Sequence, residues 1–189
     1  LGQIILKNLY GMNIPKISCL IRHKATRLKN SELVNEVVVG DCTNVNDCKE
    51  VCKDADIVVS TITPPPTSRN FIEELVKGTE NIIEAAKSSD IKQVIIVGGA
   101  GAMNRTNGKL VMDTQPGTSL SIVPIYHYFS QAHRKNLELL KQSELNYTFF
   151  APGFMWHAGK KSDESNVKIW IDRNDETWRG LVCTYEDIG

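Results

Sequence analysis

Apolar and polar residues recur along this chain with two different periods, and the switch between them is clearest from Gly78 to Ala102. Ile72, Leu75, Val76 and Thr79 begin an i, i+3/i+4 stripe that Ile82, Ile83 and Ala86 continue, which predicts one helix from about Asn70 to Ser88. Val94 to Val97 then form an unbroken β-branched run, too short for a helix and too apolar for a half-exposed strand. A strand apolar on both faces calls for helices on both faces, and therefore for a parallel sheet in an α/β domain. Such sheets place their ligand at the carboxyl ends of the strands. Gly98, Gly99 and Gly101 sit at that end.

The same periods organise the rest. Residues 3–12 predict a helix with Ile4, Ile5 and Leu9 inward and Lys7 outward, ending near a Gly11 cap. Strands are expected at Lys16 to Ile21, Val37 to Val39, Ile57 to Ser60 and Tyr147 to Phe150, with helices at Asn46 to Ala55 and Tyr128 to Ser143. Thr61 to Asn70 is a loop, because Pro64, Pro65 and Pro66 forbid helix and favour an extended path. From Gly101 to Pro124 the pattern fades into a long polar stretch, and beyond it strands are expected at Val167 to Ile171 and around Leu181 to Thr184. The β-α alternation runs through the chain without a repeat or linker. It predicts a single doubly wound, Rossmann-type domain over residues 1–189, with variable segments at 102–127 and 154–189.

Composition narrows the partners. Lys+Arg and Asp+Glu balance at 22 each, so nothing points to nucleic acid or an acidic membrane surface. No apolar run approaches the roughly 20 residues of a membrane helix, and no signal peptide is visible. Five cysteines make an odd count, and none forms a CxxC metal pair. Cys48 and Cys52 share a helix face, which leaves a metal or redox pair open beside the simpler reading of free buried thiols. A reducing, cytoplasmic compartment is expected.

Leu1 opens inside a helical pattern, whereas a doubly wound nucleotide fold begins with a strand and a glycine-rich turn that feeds pyrophosphate to the first helix. The expectation is a piece of a longer domain that lacks its first strand and most of that turn. Gly2 stands where the last glycine of the turn would pack helix against strand.

Several positions carry chemistry. Arg22, with His23 and Lys24, follows the strand at Lys16 to Ile21, which answers to the second strand of a nucleotide fold, where NAD-selective folds keep an acid for the ribose 2′-OH; an Arg there pairs with a 2′-phosphate, and the alternative is a solvated basic turn. Asp41, in VVVGD, either reads an adenine amino group or caps a turn. Thr61, Ile62 and Thr63 lie at the next strand end, where backbone would pass a cofactor. Tyr126, Tyr128, His133 and Lys135 are the candidate proton donors before and within the late helix, with a solvated face as the alternative for Lys135. Neither Tyr128 with Ala132 nor Tyr126 with Ser130 satisfies the Tyr-x-x-x-Lys spacing that would put an ammonium beside a phenol.

The runs LGQIILKNL, LIRH, VVVGD, DADIVVSTI, GTENIIEAAKSSDIKQVIIVGGAGA, LELLKQSELNYTFFAPGFM and YEDIG occur in an order that resembles the atypical short-chain dehydrogenase/reductase superfamily. The chain looks most like its NmrA-like branch, which includes the biliverdin-IXβ/flavin reductases. The resemblance implies that Asp41, with Cys42 after it, lies near adenine, that Arg22 reads the 2′-phosphate, and that Pro152 and Gly153 border the nicotinamide. Three departures stand out: the glycine-rich turn is reduced to Gly2, Gly98-Gly99 replaces the serine that often follows the fifth strand, and the Tyr-Lys pair is absent.

The resemblance implies NADP, with NAD as the alternative, and an NADPH-dependent reductase of a small planar or carbonyl substrate, its proton coming from solvent or from a residue such as His133. A non-catalytic NADP-binding regulator that docks on a protein partner is the second expectation. Epimerase or dehydratase chemistry on a nucleotide sugar is third, and the missing Tyr-Lys pair weighs against it. No motif specifies the substrate or the oligomeric state.

Overall fold

The computed structural model describes residues 1–9, 12–23, 28, 31–65, 67–104, 108–113, 124–152, 155–157 and 182–184. In chain order the elements are α1 (Gly2–Asn8), β1 (Ser18–Ile21), β2 (Glu36–Val39), α2 (Val45–Cys52), β3 (Ile57–Ser60), α3 (Phe71–Ser88), β4 (Gln93–Val97), α4 (Pro124–Gln142), β5 (Tyr147–Phe150), β6 (Met155–His157) and β7 (Val182–Thr184). Short 3₁₀ turns stand at Ser31–Leu33, Ala100–Ala102 and Val111–Asp113, the last two inside the stretch whose pattern fades.

Every strand pairing is parallel, as a run apolar on both faces requires. The single sheet of the sequence expectation is instead divided among the described residues: β1 pairs only with β2, β3-β4-β5 form a second sheet, and β6 pairs with β7. The first two are joined through helices rather than hydrogen bonds. Leu20 of β1 and Val58 of β3 pack against one buried cluster, built from Cys42, Cys48, Cys52, Ile82, Ala85, Ala86, Ile91, Val94, Ile96 and Leu140. α2 lies on β1 and β2 and also packs against α3, which in turn packs against α4. The three helices make one continuous layer.

That layer covers one face only. Val37 and Val39 of β2 and Ile57 and Val59 of β3 alternate with covered neighbours and stay 43–54% exposed.

Local chemistry explains the boundaries. The Asn44 side chain accepts a hydrogen bond from Asn46 N at 3.1 Å and starts α2 one residue before the expected Asn46. α3 follows its stripe closely, with Phe71, Ile72, Leu75, Thr79, Ile82, Ala85 and Ala86 buried. α1 corrects the sequence reading: it ends at Asn8, and Leu6 is its buried residue, whereas Ile4, Ile5 and Leu9 are half-covered. Gly11, expected as its cap, lies outside the described residues, as does the strand expected at Val167 to Ile171.

Candidate functional site

Parallel pairing brings the carboxyl ends of β1 and β2 together, which sets Arg22 beside Asp41. Arg22 Nε donates to Asp41 Oδ2 at 2.9 Å. Asp41 Oδ1 accepts from both the backbone N–H and the Oγ1 hydroxyl of Thr43, each at 2.9 Å. These bonds, led by the Thr43 backbone donor and opposed by burial, hold the Asp41 carboxyl below its ordinary pKa of 3.8. The turn is braced from behind. Asp47 Oδ2 of α2 accepts the Asp41 N–H at 2.8 Å, and the buried Asn81 Nδ2 of α3 donates to the Cys42 carbonyl at 2.8 Å.

Arg22, Asp41, Cys42 and Thr43 form one wall of a cleft of about 320 Å³. Ile62, Thr63, Pro64, Pro65 and Ser68 of the loop after β3, with Glu74 and Leu75 of α3, form the other. The volume is at the small end for ligand sites, suited to one end of a dinucleotide. No described residue engages Arg22 Nη1 or Nη2, so the guanidinium keeps a two-nitrogen edge for an anion. Cys42 is not a nucleophile here: burial, then the Asp41 charge, push its pKa up to about 11. Cys48 and Cys52 are raised to about 12 and about 11, chiefly by burial. No group of metal-binding side chains exists among the described residues, and Cys19, Cys42, Cys48 and Cys52 are free thiols.

The remaining sequence candidates lie elsewhere. Gly2 abuts Thr61, just past β3: a Cβ there would stand 2.8 Å from Thr61 Oγ1, a contact that rotation of the threonine side chain relieves. Gly98 is buried against Phe149, whose ring occupies the space a Cβ would take, so the first glycine after β4 serves packing. A Cβ on Gly99 would lie 3.1 Å from His133 Cδ2, so α4 seats His133 against that same turn. His133 Nδ1 is buried without a hydrogen-bond partner among the described residues, and burial lowers the imidazole pKa to about 4. At neutral pH the ring is uncharged. Arg134 ties α4 to the turn after β4, donating from Nη1 to the Ala102 carbonyl at 3.1 Å and to Asn104 Oδ1 at 2.8 Å. Pro152 is buried just past β5; Gly153 lies outside the described residues, and Tyr126 sits in α4 with its side chain outside the description.

Arg22, Asp41, Cys42 and Ile62 thus meet in one cleft, whereas Gly98, Gly99 and His133 gather at the end of β4. Thr43, Ser68 and Glu74 line the cleft without having been singled out from sequence. Thr43 had a signal, since an Asp followed two residues later by Thr is an Asx-type turn.

The cleft presents the Arg22 guanidinium at one side and the apolar walls of Ile62, Pro64 and Leu75 at the other. No helix among the described residues is long and apolar enough to cross a membrane.

Comparison with curated proteins found no match. Among solved structures, a protein named as a putative exported protein from Burkholderia pseudomallei superposes with a TM-score of 0.74 at 20% identity, covering 98% of this chain and 82% of its own. A short-chain dehydrogenase/reductase from Veillonella parvula gives 0.69 at 18% identity, with 99% and 77% covered. An anaerobillin reductase from Escherichia coli O157:H7 gives 0.62 at 14% identity, with 85% and 70% covered. At these identities the likeness is one of fold, and it is the Rossmann-type α/β fold. A family model described as NAD(P)H-binding matches residues 1–189, and with the strand-end cleft in place the chain belongs to that NAD(P)H-binding family.

Proposed function

We propose that the chain is an NADPH-dependent reductase of a small planar or carbonyl substrate. The observation that carries this reading is the Arg22–Asp41 pair at 2.9 Å. Asp41 stands at the end of β2 with its oxygens bonded to Arg22 and Thr43, while no described residue engages the Arg22 Nη1 and Nη2 edge. A 2′-phosphate complements that arrangement better than a 2′-hydroxyl does. Bound NADPH would supply a hydride. Arg22 would anchor its phosphate, the Asp41-Cys42-Thr43 turn and Ile62 would hold the adenosine, and we assign the nicotinamide side to Pro152, with Gly153 next to it in the sequence. The neutral His133 ring is a poor acid at pH 7, so we assign the reduction's proton to solvent, with His133 and Tyr126 as the residues to test against that assignment. Rate then comes from orientation, which suits flavin-, quinone- or tetrapyrrole-like acceptors. An anaerobillin reductase shares the fold. Free buried thiols favour a reducing, cytoplasmic setting.

The same neutral His133 favours a second reading, an NADP-binding regulator without turnover that acts through a protein partner. NADPH oxidation in the presence of flavin, quinone and linear tetrapyrrole decides between them. Turnover with any of the three supports the reductase, and tight NADPH binding with no oxidation supports the regulator.

A further inference from the structure

Resting on the reading of the cleft as an adenosine site, we propose that Glu74 selects the base, accepting a hydrogen bond from the exocyclic amino group of adenine. The sequence points to Asp41 for that contact, but the geometry crowds it and leaves one acceptor site beside the guanidinium. Asp41 Oδ1 already takes two donors from Thr43, and Oδ2 takes Arg22 Nε. Glu74 is the other carboxylate on the cleft wall. Its Oε1 accepts from Ser68 Oγ at 2.8 Å, and no described residue donates to Oε2.

The carboxylate is aimed rather than free to swing. Ser68 is itself fixed: its N–H donates to the Pro65 carbonyl at 2.9 Å, and its hydroxyl accepts from Asn70 N at 3.2 Å. Glu74 N in turn donates to the Asn70 carbonyl at 2.9 Å, which seats the residue in the first turn of α3. The flanking surface is right for a flat heterocycle, since Ile62, Pro64 and Leu75 line the same cleft. An ionised carboxylate accepts and cannot donate. It therefore favours a base that presents an amino group and opposes one that presents a carbonyl at the same ring position. Arg22 and Glu74 then read the two ends of one ligand, a phosphate and an amine.

The test compares NADPH with its hypoxanthine analogue, in which the amino group is replaced by a carbonyl oxygen, by calorimetric titration. Wild-type protein should prefer NADPH by about tenfold, the scale of one unmade hydrogen bond to a charged group. Glu74→Ala should erase the preference, weakening NADPH and relieving the repulsion that the analogue's carbonyl meets in wild type. Glu74→Gln keeps an acceptor for Ser68 and guards against a folding defect; its amide can serve either base, so the two affinities should converge within about threefold. Equal binding of both nucleotides to wild type overturns the role of Glu74 and leaves the cofactor site standing, as does an equal fall of both in Glu74→Gln. No binding of either nucleotide to wild type overturns both.

Discussion

Arg22 Nε and Asp41 Oδ2 stand 2.9 Å apart, so the base at the end of β1 is held by the acid at the end of its parallel neighbour β2. Both side chains remain about two-fifths exposed, at 41% and 37%, so the pair adds little to stability. Its value is orientation. With Nε engaged, the Nη1 and Nη2 edge is directed by Asp41 rather than by solvent.

Arg22→Ala should therefore weaken NADPH binding by about tenfold to a hundredfold, the range of a lost charge-assisted contact, and NADH binding far less. Equal losses for both cofactors in a calorimetric titration would remove the 2′-phosphate role. Asp41→Asn should weaken NADPH binding less than Arg22→Ala, because the guanidinium survives without its guide. The pH dependence has a definite sign. Asp41 has its pKa lowered below 3.8, so the carboxylate is charged, and Arg22 guided, at every pH above that value. NADPH affinity should show no loss from this pair between about pH 8 and 5, and should fall only as acid protonates Asp41 below that range.

What the sequence made legible follows from what periodicity encodes. The stripe from Ile72 to Ala86 and the run from Val94 to Val97 report burial directly, and α3 and β4 appear where they predict. Arg22 and Asp41 could be placed at strand ends because strand ends are local features. Their contact could not, since it depends on the β1–β2 register. Glu74 was invisible for the same reason: on the helix wheel it is one more acid in a first turn, and only the return of the 62–68 loop puts it on the cleft. Gly98 shows the reverse error. A glycine after a strand reads as room for a ligand, whereas here the room is filled by Phe149, which lies 51 residues further along the chain.

Gly98→Ala should accordingly destabilise the protein by about 1–3 kcal/mol, the usual cost of forcing a methyl into filled space. Phe149→Leu removes the obstructing ring edge and should be mildly destabilising alone. The double variant should recover part of the loss, because the two positions share one volume. Urea unfolding of the four proteins reads the coupling; strict additivity would mean that Gly98 is required for something other than the ring.

Asn81→Ala should cost about 1–3 kcal/mol, because the buried Cys42 carbonyl would lose its shorter donor and keep only the weak Cys48 thiol at 3.4 Å. The same bond fixes the turn that carries Asp41 and Thr43. NADPH affinity should therefore fall as well, although Asn81 does not line the cleft. Calorimetry at a temperature where the variant is fully folded separates the two effects, and an unchanged affinity would show that the turn holds its shape through its other bonds, to Asp47, Asn44 and Cys48.

His133 offers a titration with a sign that can be checked. Burial lowers its pKa from 6.5 to about 4, so the folded protein resists protonation that the unfolded chain accepts. Stability from the neutral ring is fully present above about pH 6.5 and is lost as pH falls toward 4, by at most about 3 kcal/mol. His133→Leu should thus hold its urea midpoint better than wild type when the buffer is changed from pH 7 to pH 5. The same variant tests the chemistry. If solvent supplies the proton, its kcat for NADPH oxidation should stay within a few-fold of wild type and keep the same pH profile from 6 to 8. A fall of a hundredfold or more, the scale of a lost general acid, would return His133 to the reaction itself.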